Sequence, residues 1–146
     1  MDWKTIGRLC VTVHTEAVPA EREWADYMKG VRREVPMAAQ KVLVVSAGGG
    51  PSGKQRKMMT DALEGTRVPV AILTESWLMR SAGIAVSWFN PMLKVLPPHA
   101  LEEAFTYLDL TTWEREESRL ILGELQKKLR VNVLPELVNV SANMAS

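Results

Sequence analysis

Apolar and polar positions alternate over residues 3–18. Leu9, Val11 and Val13 fall on one side of an extended chain and Cys10, Thr12 and His14 on the other, the period-two pattern of a half-buried strand. Gly7, between Ile6 and Arg8, marks either a bulge or the turn of a short hairpin. After Pro19 the period changes. Trp24, Tyr27, Met28, Val31 and Val35 recur at three- and four-residue spacing, which predicts a helix with one apolar stripe, ended by Pro36. Gly30 lies inside it, at up to about 1 kcal/mol relative to alanine. Lys41 to Ala47 is a continuous apolar run, as expected of a central strand covered on both faces.

A glycine loop, Gly48-Gly49-Gly50-Pro51-Ser52-Gly53, leads into a helix from about Ser52 to Glu64, with Met58, Met59, Ala62 and Leu63 inward and Gly65 as its stop. Val68 to Thr74 predicts a second buried strand, with Pro69 near its beginning. Ser76 caps a helix over Trp77 to Phe89 that Asn90-Pro91 ends. Met92 to Leu96 is a short outer strand, and His99 to Leu110 a helix with Leu101, Ala104, Phe105 and Leu108 on one face. From Thr112, taken as N-cap, a further helix presents Ile121, Leu122, Leu125 and Leu129, with acids in its first turn and bases in its last. Val131 to Val140 is apolar around Pro135, and residues 141–146 form a disordered tail.

Strand and helix thus take turns, the order of an α/β domain with a small, mostly parallel sheet of four to five strands, helices packed on it and an extra C-terminal helix. Residues 1–110 form the α/β domain and 111–140 a helical extension. In such folds ligands and partners meet the carboxyl ends of the strands.

Charge and chemistry narrow the function. The net charge is +1, so the global field of a nucleic-acid binder is missing, although charge drifts from +4 over residues 1–60, through 0, to −3 over 101–146. Cys10 is the single cysteine, no Cys/His cluster offers a metal site, and nothing calls for a cofactor. Met1 to Lys4 lack the apolar core of a signal peptide, and the longest uncharged run, Ser81 to Leu93, is shorter than the ~20 residues that span a bilayer. The expected setting is the cytoplasm.

Gly48 to Lys54 fits the phosphate-loop pattern, but Gln55 stands where magnesium needs Ser or Thr. Two readings stay open: an anion held by Gly48, Gly49, Gly50, Ser52, Gly53 and Lys54, or a tight glycine turn. His14 and His99 lie far apart in the element order, which argues against acid/base chemistry. Trp77, Met79, Trp88 and Phe89 belong to more apolar surface than one helix face buries. The last helix covers it, or it forms a partner groove or an opening for a lipid-like ligand. Ile121, Leu125 and Leu129 either seal the domain or pair with a second copy in a homodimer.

The order and spacing of these elements over residues 3–110 resemble the STAS superfamily, in particular its SpoIIAA-like branch of anti-sigma-factor antagonists. The features concerned are Lys41 to Ala47 leading through a loop into a helix, Val68 to Thr74 leading into another, and Leu93 to Leu96 before the helix with Glu102-Glu103-Ala104-Phe105. The resemblance implies a non-enzymatic bacterial signalling module that regulates or scaffolds by docking onto a partner protein. It also implies a candidate phosphorylation at Ser52, although Pro51 stands where the family has an acidic residue.

Overall fold

The computed structural model of the chain describes residues 1–34, 41–63, 67–77, 80–81 and 92–144. Strands β1 (Asp2–Ile6) and β2 (Leu9–His14) pair antiparallel, from Asp2 opposite Val13 to Ile6 opposite Leu9. Gly7 between them has φ 55°, with nothing within 4 Å of the place a Cβ would take, so backbone conformation and not crowding selects glycine. The open choice at Gly7 resolves as a hairpin.

Strands β3 (Lys41–Ser46), β4 (Val70–Thr74) and β5 (Leu93–Leu96) then add parallel to β2, one after another, giving the sheet order 1-2-3-4-5. Helix α1 (Glu21–Glu34) joins β2 to β3 and α2 (Gly53–Leu63) joins β3 to β4. A 3-10 turn (Pro98–Ala100) precedes α3 (Leu101–Tyr107), α4 (Thr112–Leu129) and α5 (Pro135–Met144). Helices α1 and α2 pack on the same side of the sheet, Trp24, Tyr27 and Met59 gathering with Cys10 and Val42, as crossovers of one hand between parallel neighbours added in one direction require. That arrangement leaves the opposite side of the sheet bare.

The two faces are occupied accordingly. On one, Cys10 packs with Trp24 and Tyr27 of α1, and Met28, Val42 and Met59 close around them. On the other, Leu9, Val11, Val13, Leu43, Val45, Ala71 and Leu73 meet Leu101, Ala104 and Phe105 of α3, Ile121, Leu122 and Leu125 of α4, and Leu137 of α5. The C-terminal extension therefore shares its core with the sheet. Ile121 and Leu125 are 2% and 8% exposed, which corrects their expected place on a partner surface. Burying each is worth roughly 1.5–3 kcal/mol, and the bare sheet face is the nearest apolar surface that can supply it.

Several boundaries differ from expectation. The cap of α4 is Thr111, not Thr112: its side chain accepts from the Glu114 amide while the Glu114 carboxylate accepts from the Thr111 amide, a reciprocal pair. The apolar stretch around Pro135 becomes α5, with proline at the first helical position, and it runs to Met144, into the stretch expected as a tail. Gln126 fastens α5 to α4, its buried amide donating to the Leu134 carbonyl at 3.2 Å and accepting the Leu134 N–H at 2.8 Å. Val35, and all of Trp77 to Phe89 except residues 77, 80 and 81, lie outside the described residues.

Candidate functional site at the carboxyl edge of the sheet

Strands β2, β3 and β4 end on a registered row, His14 opposite Ser46 and Ser46 opposite Thr74, all three buried. Polar groups at the buried ends of parallel strands need partners, and two of the three find them in the loops that follow. Ser46 Oγ accepts from the Gly48 N–H at 3.0 Å and donates to the Gly49 carbonyl at 2.5 Å. Thr74 Oγ1 accepts from the Ser76 N–H at 3.1 Å. The third, His14, has no hydrogen-bond partner for Nδ1 among the described residues. Burial, and secondarily the positive charge of the N-terminal ammonium, lower its pKa from 6.5 to about 4, so the imidazole is neutral at neutral pH.

Cys10 and Thr12 share the face of His14, as expected, but turn elsewhere. Thr12 Oγ1 lies 3.1 Å from the Tyr27 hydroxyl, and Cys10 Sγ is 3.5 Å from Thr12 Oγ1 and 3.8 Å from Tyr27. Burial raises the Tyr27 pKa well above its ordinary value, so its hydroxyl stays protonated in this internally bonded knot in the core. The Ser46 hydroxyl is committed to its own loop, so His14 and Ser46 do not form a base and nucleophile pair.

In the glycine loop, a Cβ on Gly49 would lie 2.4 Å from the carbonyl oxygens of both Thr15 and Ala17, and the Gly49 N–H donates to Thr15. Gly48 has φ 124° and sits beside Ser76. The three loops after β2, β3 and β4 are thereby pressed together. Ser52 caps α2: its Oγ accepts the Gln55 N–H at 3.2 Å, and Gln55 Oε1 accepts the Ser52 N–H at 2.9 Å. Gln55 Nε2 also donates to the Pro19 carbonyl, and the indole of Trp24 donates to the Gln55 carbonyl. Lys54 reaches Glu21, Arg56 the Pro51 carbonyl, and Lys57 Asp61. Four amides of this segment, those of Gly48, Gly49, Ser52 and Gln55, are bonded internally. These bonds hold the segment as a compact turn leading into the capped start of α2. Gln55 stands in place of a magnesium ligand because it is a capping residue.

Beside this loop lies a groove of about 510 Å³ that the sequence reading did not foresee. Thr15 and Glu16 line it from the loop after β2, Glu75 and Ser76 from that after β4, and Arg130 and Asn132 from the link between α4 and α5. Leu129 is half-buried and borders it, apart from the sealed Ile121 and Leu125. Trp77, next to Ser76, is 71% exposed. Met79, Trp88 and Phe89 lie outside the described residues.

Among the described residues, no three His, Cys, Asp or Glu side chains gather to hold a metal ion, and no helix is long and apolar enough to cross a membrane. No family model matches the chain, and neither a curated protein nor a solved structure similar to it was found.

Proposed function

We propose that the chain is a non-enzymatic regulatory or scaffolding module that binds another protein through the carboxyl edge of its sheet, the mode of action implied by its resemblance to SpoIIAA-like STAS domains. A cytoplasmic setting belongs to the same proposal. The observation that carries it is Trp77: a large indole, 71% exposed, one residue after Ser76, which lines the groove where three loops and the α4–α5 link converge. Tryptophan is the residue type most often found to anchor protein interfaces. The chemistry nearby supports docking over turnover, because the buried polar groups of this edge are tied into their own loops or stand apart.

In this proposal Ser52 is the regulated position. Phosphorylation would replace a neutral helix cap by a dianion at the positive end of α2, beside Lys54 and Arg56. Pairing of two copies through the C-terminal stripe is left out, because Ile121 and Leu125 are already inside.

The test compares partner retention by Trp77→Ala with that by Trp113→Ala, the latter replacing another exposed tryptophan, on α4. Loss of an anchor of about 2 kcal/mol weakens binding roughly 30-fold at position 77 only. Equal retention by both variants, or turnover of a small molecule by the purified chain, contradicts the proposal.

A further inference from the structure

The groove carries a charge pattern that the protein-contact proposal does not use. Glu16 and Glu75, exposed acidic residues, line it from two different loops, and Arg130, an exposed basic residue, lines it from a third segment. None of the three takes part in an ion pair among the described residues. The carboxyl end of α4 adds partial negative charge on the same side. A ligand of one sign would therefore meet repulsion from part of the lining. A small molecule with a positive and a negative end would meet attraction at both.

Arg130 adds a second observation. It ends α4 in the left-handed conformation, φ 57° and ψ 41°, where glycine is the favoured residue and any side chain is strained. Its N–H bonds to the Lys127 carbonyl through the backbone alone, so the cap requires nothing of the side chain. The left-handed cap thus explains the backbone but not the choice of arginine, a residue that lines the groove. The volume, about 510 Å³, lies within the ~300–1,000 Å³ of small-molecule sites, and the carboxyl edge of parallel strands is where such sites form.

We propose that this groove binds a small zwitterion bearing a primary ammonium and a carboxylate, as free α-amino acids do, with Glu16 and Glu75 taking the ammonium and Arg130 the carboxylate. The site adjoins the partner surface at Trp77 but uses Glu16, Glu75 and Arg130 and not that indole, and its test does not use a partner.

The experiment measures melting temperature and binding heat of the full chain with each of the standard free amino acids at millimolar concentration. Every amino acid that binds is retested as its N-acetyl and its carboxamide derivative. The expected result is binding by at least one free amino acid that either derivative abolishes. Glu75→Gln and Arg130→Gly should each weaken it at least about tenfold, the loss of one charge-assisted contact. Arg130→Gly should leave the unliganded melting temperature unchanged or raised, because glycine suits the left-handed cap, so lost binding there is not lost folding. Three results would overturn the proposal: no free amino acid binds, the blocked derivatives bind as well as the free ones, or both variants bind as the wild type does.

Discussion

Gly49 and Gly7 show that two glycines can be required for unrelated reasons. At Gly49 the limit is space, since a methyl group would meet two backbone carbonyl oxygens at 2.4 Å, and backbone cannot swing aside as a flexible side chain could. Gly49→Ala should destabilise the fold by about 2–4 kcal/mol, read by urea denaturation. At Gly7 the limit is only the left-handed φ of 55°, and Gly7→Ala should cost about 1 kcal/mol. His14 adds a pH dependence of definite sign. Folding holds its pKa near 4 against the ordinary 6.5, so in that window the unfolded chain takes up a proton that the folded chain refuses. Stability attributable to His14 is complete at neutral pH, falls as pH drops through 6.5 and levels off below 4. Between pH of about 7.5 and about 5 the loss should be about 2 kcal/mol, and His14→Gln should remove that part of the slope.

At the scale of elements, the periodicities are the most legible part of the chain. The two sides of β2 separate in the structure as they do in the sequence, with Leu9, Val11 and Val13 in one cluster and Cys10 in the other. The uninterrupted run in β3 reflects cover on both faces. Signals carried by single residues are harder to read. Ser52 and Gln55 spell a capping pair that the phosphate-loop pattern spanning the same residues obscures, and only the hydrogen bonds reveal the cap. Pro135 reads equally as a break or as the first residue of a helix. For α4, the reciprocal cap makes a measurable claim. Thr111→Ala should cost about 1 kcal/mol in thermal or urea unfolding, while Thr112→Ala, one residue inside the helix, should cost less.

For the whole molecule, the sheet order explains why the C-terminal helices are there. Strands laid down in chain order with α1 and α2 on one face leave the other face to be covered, and α3, α4 and α5 supply that layer. The same placement brings the end of α4 to the carboxyl edge, where it completes a groove with loops far away in sequence. That is why Glu16, Glu75 and Arg130 carried no sequence signal. They belong to three segments whose proximity is a product of tertiary packing. The general rule that ligands meet the carboxyl ends of strands pointed to the region but not to these residues.

The central claim, that this edge docks a protein partner, is tested most directly by photo-crosslinking in the source cell. A benzophenone amino acid is placed at position 77, with one at position 113 as the control. Trp113 sits at the opposite end of α4 from Leu129, about 24 Å along the helix. The account predicts a discrete polypeptide adduct from position 77 and none from position 113. Adducts from neither position, or the same adducts from both, would contradict it.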